Sequence, residues 1–127
     1  MPTILVADDD DLMVALVEFK LVAAGHRVIV AENGRAALDA VKRELPDLIV
    51  LDAVMPVMTG AEALTELKAD PYSSAIPVLM LTARRNEEEV AAALRSGAVD
   101  YLTKPFNPEE LLARVEAALQ KSAALKV

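Results

Sequence analysis

The chain has 127 residues, 54% of them hydrophobic, and it contains no cysteine. This length fits a single domain with a sizeable core, and the lack of cysteine excludes disulfides, thiolate metal sites and thiol nucleophiles. The formal net charge of -7 argues against direct contact with nucleic acid, because no basic stripe is present to neutralise phosphates. No apolar run approaches the roughly 20 residues that span a bilayer, and no basic leader opens the chain. We therefore expect a cytoplasmic, soluble protein without membrane contact.

Short apolar runs alternate with longer helical patterns along the chain. The runs are rich in Val, Ile and Leu without polar alternation, which is typical of strands buried on both faces of a parallel sheet. Capping boxes or close relatives mark helix starts at Thr59, Asn86 and Asn107, and Gly25 and Gly97 mark helix ends. In chain order, the predicted elements are strand 3–7, helix 11–24, strand 27–31, helix 34–44, strand 48–51, helix 60–69, strand 77–81, helix 86–96, strand 99–102 and helix 107–121.

These five strand–helix units predict an α/β fold with a doubly wound, five-stranded parallel sheet and helices on both faces. We assign residues 1–121 to this domain and residues 122–127 to a tail or the start of a linker. Ligands of such sheets bind at the carboxyl ends of the strands, where the strand order reverses. The residues that follow the strands are therefore the first candidates for a functional site.

Polar groups suited to metal and phosphate chemistry lie at the ends of four predicted strands. They are Asp8 and Asp9 after the first strand, Asp52 after the third, Thr82 after the fourth and Lys104 after the fifth. A cluster of carboxylates suits a hard cation such as Mg²⁺, and a carboxylate beside that cation can attack phosphorus. Lys104 would add a positive charge, and Thr82 a hydroxyl donor, for phosphoryl oxygens.

Each of these residues also has an ordinary structural interpretation. Asp10 and Asp11 are expected to cap the following helix rather than to bind a metal. Taken alone, Asp52 could be a turn aspartate, Thr82 a β-branched strand residue and Lys104 a surface lysine. Their joint position at several strand ends favours a shared site.

The chain resembles the receiver domains of two-component response regulators, including the chemotaxis regulators, from Ile4 to about Leu119. The stretches that carry the resemblance are ILVADDDD, PDLIVLDAVMPVMTG, VLMLTA and DYLTKPF. The resemblance implies a flavodoxin-like (βα)5 fold with strand order 2-1-3-4-5. It also implies a phosphoprotein that receives a phosphoryl group from a sensor histidine kinase or a histidine phosphotransfer protein.

The functional residues of that family fall on matching positions of this chain. The resemblance implies that Asp52 is the phospho-acceptor and that Thr82 and Lys104 bind the phosphoryl group. The implied ligands of Mg²⁺, or of Mn²⁺ in its place, are Asp8, Asp9, Asp52 and the backbone carbonyl of Val54. The Lys104–Pro105 peptide bond is expected to be cis, as is typical of the family.

The resemblance also implies a conformational switch. When Thr82 moves toward the phosphoryl group, Tyr101 is expected to swing inward and change the surface formed by 86–96, 99–102 and 107–121. The chain would then be a signalling phospho-acceptor that assists its own phosphorylation and dephosphorylation, and not an enzyme. Its downstream protein or output domain is not readable from the sequence, and phosphorylation-linked homodimers are common in the family.

Two positions are predicted to tune the lifetime of the phosphoryl group. Val54 cannot hydrogen-bond an attacking water, and Arg84 is long enough to shield the site, so we expect slower self-hydrolysis than in a Val54→Asn variant. Alternatively, both side chains point into solvent. The single histidine, His26, is interpreted as a surface residue rather than a ligand.

The first helix carries more apolar residues than a surface helix needs. The stripe expected to face the sheet consists of Met13, Leu16, Val17 and Leu21. The second stripe, on a neighbouring face, consists of Leu12, Ala15, Phe19 and Val22. We interpret the second stripe as a protein-contact site, since the first helix commonly docks the kinase in the family that the chain resembles. The alternative is that the core stripe is shifted by one position.

Three other functions share parts of this pattern. A phosphatase of the haloacid dehalogenase type would need a second acid two residues after its nucleophile, where this chain has Val54. A flavodoxin-like cofactor binder would need a glycine- or hydroxyl-rich loop after the first strand, where the aspartates of this chain would repel phosphate. A phosphorylation-independent protein-interaction module on the same fold stays open.

Overall fold

The computed structural model describes residues 1–83 and 87–125 of the chain. Strands and helices alternate in the order that the sequence predicts. They are β1 (Thr3–Ala7), α1 (Asp11–Ala23), β2 (Arg27–Ala31), α2 (Gly34–Glu44), β3 (Leu48–Asp52), α3 (Gly60–Ala69), β4 (Val78–Thr82), α4 (Glu87–Arg95), β5 (Asp100–Thr103) and α5 (Pro108–Leu125). Among these residues, none of the helices combines the length and the hydropathy that a transmembrane span requires.

The five strands form one parallel sheet in the order β2-β1-β3-β4-β5, which confirms the predicted doubly wound, flavodoxin-like fold. β1 pairs with both β2 and β3, so the direction of winding reverses beside β1. The register aligns Ala7 of β1 with Leu51 of β3, and Thr82 of β4 with Thr103 of β5. The residues that follow these positions therefore emerge at one edge of the sheet, as the strand-end rule requires.

Helices cover both faces of the sheet and enclose two apolar layers. On one face, Val17 and Leu21 of α1 pack with Leu111 and Val115 of α5. On the other face, α2 and α3 pack their leucines and alanines against the sheet. All residues of β3 and β4 are buried, which explains their continuous apolar runs. Each fully buried Leu or Val side chain contributes roughly 1.5–3 kcal/mol, so these central strands dominate the hydrophobic stabilisation.

Most helix ends follow the predicted capping chemistry. The Asp10 carboxylate accepts hydrogen bonds from the first backbone amides of α1, which confirms its role as a cap. Thr59 and Glu62 form the predicted capping box at the start of α3, with reciprocal hydrogen bonds of 3.2 and 3.0 Å. Gly25 and Gly97 end their helices with φ of 95° and 111°, in the region that favours glycine.

The predicted core stripe of α1 is partly wrong. The buried residues of α1 are Val14, Val17 and Leu21, whereas Leu16 is 51% exposed. Apolar side chains of α1 itself cover most of its circumference, so the sequence was compatible with either of two neighbouring stripes facing the core. Packing against the sheet and α5 buries Val14 and the residues three and seven positions after it, which lie on one face of the helix.

One predicted helix boundary falls outside the described residues, and another differs from the structure. The predicted cap of α4, Asn86, lies outside the described residues. α5 extends to Leu125 and takes in most of the segment that the sequence predicted as a tail. The Lys104–Pro105 peptide bond, between β5 and α5, is cis as expected.

His26 is buried, so the prediction of a surface position is wrong. Its relative exposure is 8%, and neither ring nitrogen has a hydrogen-bond partner within the described residues. The turn between α1 and β2 lies against α5, where Glu116 Oε2 is 3.6 Å from His26 Nε2. A turn in the sequence predicts exposure, but this turn is covered by a helix that lies far along the chain.

Candidate functional site

Three aspartates meet where the winding of the sheet reverses. Asp8 follows β1 and Asp52 ends β3, and the residues before them, Ala7 and Leu51, are paired in the sheet. One carboxylate oxygen from each of Asp8, Asp9 and Asp52 lies within 4.8 Å of the other two. Asp8 and Asp52 are buried, whereas Asp9 is exposed. The structure therefore brings together the carboxylates that the sequence predicted at one rim.

Lys104 reaches this aspartate cluster from the loop after β5. Its Nζ donates a hydrogen bond to Asp8 Oδ2 at 2.9 Å and lies 3.4 Å from Asp52 Oδ2. Its backbone amide donates to the Thr82 carbonyl at 2.6 Å, which ties the loop to the end of β4. The Lys104 side chain is half-buried, so water screens its charge only in part where it faces the two buried carboxylates.

The cluster holds more negative charge than one lysine neutralises. Burial, followed by the charge of Asp8, raises the pKa of Asp52 to about 6, and Lys104 opposes this shift. Burial alone would lower the pKa of Lys104, but the hydrogen bond to Asp8 and the charges of Asp52 and Asp8 raise it overall. Lys104 therefore stays charged, and the carboxylates still favour a further cation.

The donor set fits a hard divalent cation. The cluster consists of carboxylate oxygens and contains neither histidine nor cysteine, which matches Mg²⁺ or Mn²⁺ better than zinc. Asp8 is oriented by its surroundings, because its Oδ1 accepts a hydrogen bond from the Asp10 amide at 3.0 Å. Its own amide donates to the Ala31 carbonyl at 3.1 Å, which fixes the start of the loop against β2.

Thr82 and Tyr101 lie on the two strands beyond Asp52. Thr82 directly follows Leu81, the sheet partner of Asp52, and it is 2% exposed. No described residue hydrogen-bonds its hydroxyl, and a buried hydroxyl without a partner is unfavourable. Tyr101 pairs with Met80 and is half-buried against the core under α2 and α3. Thr82 is therefore available to a ligand oxygen, and Tyr101 is one strand away.

The β3–α3 loop carries Val54, one of the predicted tuning residues, and its backbone lies close to two glycines, Gly34 and Gly60. The Val54 side chain is 67% exposed, and Arg84 lies outside the described residues. A Cβ on Gly60 would collide with the Asp52 carbonyl oxygen, and one on Gly34 would lie 2.5 Å from the Met58 carbonyl oxygen. Glycine directly after a helix cap was the signal available at Gly60, since a helix start does not itself require glycine.

The second stripe of α1 is exposed, as predicted. Leu12 is 71% exposed and Phe19 is 75% exposed, and Val22 and Ala15 are exposed beside them. Leu16, which was assigned to the core, adds to this apolar face. We call Leu12, Ala15, Leu16, Phe19 and Val22 the α1 face.

Residues 4–116 match the family model of the response regulator receiver domain. The chain belongs to this family. It is 43% identical over 119 residues to the alkaline phosphatase synthesis transcriptional regulatory protein PhoP of Bacillus subtilis, a match that covers 94% of the chain and 49% of PhoP. It is 41% identical over 119 residues to the DNA-binding response regulator MtrA of Mycobacterium tuberculosis, covering 94% of the chain and 51% of MtrA.

Solved structures of receiver domains share the fold. A putative response regulator from Chloroflexus aurantiacus superposes with a TM-score of 0.89 at 36% identity, covering 94% of this chain and 98% of that one. The receiver domain is therefore a signalling module of the two-component type. The chain spans about half the length of the curated relatives that it matches. Relatives described as DNA-binding fit poorly with our expectation of no nucleic-acid contact, which rested on the charge of this chain alone.

Proposed function

We propose that this receiver domain is a Mg²⁺-dependent phospho-acceptor in which Asp52 takes the phosphoryl group. The observation that carries the proposal is the convergence of three carboxylates with the Lys104 ammonium. Lys104 Nζ lies 2.9 Å from Asp8 and 3.4 Å from Asp52, so it can pass from the carboxylates to a phosphoryl oxygen with little movement. Asp52 is the central carboxylate of this arrangement, because it ends β3 between β1 and β4.

Asp8, Asp9, Asp52 and the backbone carbonyl of Val54 would hold Mg²⁺, with Mn²⁺ as its substitute. When bound, the ion supplies positive charge beside the acceptor and the incoming phosphoryl group. Asp8 is buried and oriented by the Asp10 amide, whereas Asp9 is exposed, so the two would offer one fixed and one solvent-accessible carboxylate. The raised pKa of Asp52 supports this assignment, because the fold leaves its carboxylate short of positive charge.

The donor is a phosphohistidine of a sensor kinase or a phosphotransfer protein. An oxygen of the Asp52 carboxylate forms a bond to phosphorus while the bond from phosphorus to the imidazole nitrogen breaks. The electron pair of that bond leaves with the imidazole, which then takes a proton from water. Lys104 and Thr82 donate to the phosphoryl oxygens, so most of the protein's contribution is charge neutralisation and positioning.

The proposed switch depends on Thr82, whose buried hydroxyl has no hydrogen-bond partner within the described residues. A phosphoryl oxygen gives the buried hydroxyl an acceptor, and this contact draws Thr82 toward Asp52. Tyr101, on the adjacent strand, would then move inward and alter the surface of α4, β5 and α5. Phosphorylation shifts the equilibrium between an inactive and an active conformation that both exist beforehand. The size of the shift is set by how much more favourably the active conformation contacts the phosphoryl group.

The partners proposed from this assignment are a sensor histidine kinase or a histidine phosphotransfer protein, and a downstream protein or output domain, all meeting this chain in the cytoplasm. Residues 1–121 would form the receiver, and the segment 122–127, which begins as the end of α5, would be the tail or the start of a linker. A phosphorylation-linked homodimer would use the surface that Tyr101 changes. The receiver itself would make no contact with nucleic acid or membrane, so DNA binding of the kind that MtrA's name describes would belong to an output domain.

The α1 face is the proposed kinase-docking surface. Replacement of Phe19 by aspartate places a charge in its centre without disturbing the core, since Phe19 is exposed. We expect phosphotransfer from the partner kinase to slow at least about tenfold, as for loss of a binding anchor. Tyr72→Asp, at another exposed aromatic residue, is the matched control and should transfer normally. Unchanged transfer by a folded Phe19→Asp protein would contradict the docking proposal.

Val54 and Arg84 are the proposed tuning residues. Val54→Asn should shorten the phosphoryl lifetime, because the amide can orient a water toward phosphorus. The decay of labelled phosphoprotein measures this rate, with Val30→Asn on the exposed edge strand as the control. Equal or slower decay in Val54→Asn would remove Val54 from the proposal.

The phospho-acceptor function is tested by intact mass after incubation with Mg²⁺ and acetyl phosphate. We expect a phosphate-sized gain in the wild type and in Asp39→Asn, an exposed position of α2. The gain should disappear without Mg²⁺ and in Asp52→Asn. If the folded wild type gains no mass, the chain is better described as a phosphorylation-independent interaction module.

A further inference from the structure

The two edge strands of the sheet differ in how side chains use their backbone groups. β2 pairs only with β1, and β5 pairs only with β4. At β5, the Arg114 side chain donates to the Tyr101 carbonyl at 3.2 Å, and the Asp100 carboxylate accepts from the Tyr101 amide at 2.8 Å. At β2, the side-chain hydrogen bond runs from Arg27 to Glu44 and does not involve the backbone. The chain therefore caps its β5 edge and leaves its β2 edge open to another strand.

The outward backbone groups of β2 belong to Val28 and Val30. The Arg27 amide and the Ala31 carbonyl are hydrogen-bonded on the β1 side, at 2.9 and 3.1 Å. Because backbone groups alternate in direction along a strand, those of Val28 and Val30 point away from β1. The Val30 side chain is 41% exposed, and the strand contains neither proline nor lysine, which often protect natural edges.

Opposite charges lie at the two ends of β2. Exposed acidic residues lie at its carboxyl end, namely Asp9, Asp10, Asp11 and Glu32. Exposed basic residues lie at its amino end, namely Arg27, Lys42 and Arg43. The last turn of α2 reaches this end, because Glu44 Oε1 lies 3.4 Å from Arg27 Nη2. Two molecules with antiparallel β2 strands would therefore place the acidic end of each beside the basic end of the other.

We propose that a second copy of this chain pairs with the β2 edge, with the two β2 strands antiparallel about a twofold axis at Ile29. In this register, Val28 of each copy lies opposite Val30 of the other and exchanges backbone hydrogen bonds with it. The outward groups of the strand are then satisfied, and the two sheets join into one. The contact is self-complementary, as a twofold dimer requires.

This dimer does not depend on phosphorylation. β2 and β5 lie at opposite edges of the sheet, so pairing at β2 leaves α4, β5 and α5 uncovered. The surface that Tyr101 is proposed to change therefore stays available in the dimer. Unphosphorylated protein is the form in which the β2 contact can be measured by itself.

Self-association is tested by sedimentation equilibrium of the unphosphorylated, metal-free protein. We expect the average mass to rise from one chain toward two between about 10 μM and about 1 mM, a range suited to a small interface. Val30→Pro removes an outward N–H and no hydrogen bond to β1, so it should weaken association at least about tenfold. Val30→Thr keeps the N–H and the β-branched shape, and it is the matched control.

A wild type that stays monomeric over this range, or a Val30→Pro protein that associates equally well, would overturn the proposal. If Val30→Pro does not fold, Val30→Lys replaces it, because a charged side chain at an edge also opposes strand pairing. It should show the same loss, and equal association by folded Val30→Lys would overturn the proposal.

Hydrogen exchange of single amides identifies the surface that pairs. At high protein concentration, the Val28 and Val30 amides should exchange at least about fivefold more slowly than at low concentration. The Ile29 amide faces β1 and should exchange equally at both concentrations. Slower exchange confined to another part of the chain would show that a different surface associates, and it would overturn the β2 contact.

The antiparallel arrangement is tested through its charges. Glu32→Lys should weaken association about fivefold, and added salt should weaken wild-type association, because opposite charges adjoin at both ends of the contact. Glu66→Lys, at an exposed position of α3, is the matched control and should associate like the wild type. Equal association by Glu32→Lys and the wild type would overturn the antiparallel arrangement.

Discussion

Asp52 carries a negative charge that the metal-free fold disfavours. Its carboxyl is buried beside Asp8, and these causes raise its pKa from 3.8 to about 6 despite Lys104. Because the folded-state pKa is raised, the protonated form gains stability on folding. This contribution is complete below about pH 3.8 and is lost as the pH rises through about 6. At neutral pH the protein therefore retains an unfavourable charge at the position proposed to do its chemistry.

Removal of that charge should stabilise the metal-free protein. At pH 7, Asp52→Asn should raise the free energy of unfolding by on the order of 2 kcal/mol, since a pKa unit corresponds to about 1.4 kcal/mol. The difference should shrink toward zero near pH 4. Urea unfolding at several pH values measures it, with Asp39→Asn as the control. A variant that is less stable than the wild type at pH 7 would contradict this description of the charge.

The sequence correctly predicted which polar residues lie together at the edge of the sheet, but it did not predict the burial of His26. Asp8, Asp52 and Lys104 could be predicted because each follows a strand, and strand ends converge whatever the details of packing. His26 could not be placed, because its burial depends on Glu116 and its neighbours in α5. Contacts between residues distant in sequence leave no local signal.

At the scale of elements, the β3–α3 loop is held in a strained conformation next to the acceptor. Val57 has a φ of 70°, which is unfavourable for a β-branched residue, and the Met58 amide donates to the Pro56 carbonyl at 2.7 Å around it. The Val57 side chain is 81% exposed, so burial does not compensate for the strain. The following helix is fixed by Gly60 against the Asp52 backbone.

Relief of this strain should stabilise the protein. A left-handed conformation costs a non-glycine residue about 1–2 kcal/mol, and glycine adopts it freely at the expense of more entropy in the unfolded chain. We expect Val57→Gly to raise the free energy of unfolding by about 1 kcal/mol. Val22→Gly, at an exposed helical position, should instead lower it by a few tenths of a kcal/mol, because glycine has a lower helix propensity than valine. A loss of stability in Val57→Gly would show that Val57 makes a favourable contact that outweighs its backbone strain.

The elements themselves were predicted from the sequence with small errors at their ends. Buried strands such as β3 and β4 have uninterrupted apolar runs, and capping residues such as Thr59 mark where helices begin. The face that α1 buries could not be predicted, because Leu16 and Val17 are equally apolar and only the packed sheet distinguishes them.

At the scale of the whole molecule, the topology assembles the site. The order β2-β1-β3-β4-β5 places the ends of β1 and β3 side by side, so that Asp8 and Asp52 meet although they are distant in sequence. β4 and β5 bring Thr82 and Lys104 to the same edge from the other side.

The most direct test of the central claim is to identify which residue carries the phosphoryl group. After treatment with acetyl phosphate and Mg²⁺, borohydride reduction converts an aspartyl phosphate into homoserine, which peptide mass spectrometry locates. We predict homoserine at position 52 and at no other aspartate. Modification at Asp8 or Asp9, or a phosphorylated protein without homoserine, would contradict the assignment of Asp52 as the phospho-acceptor.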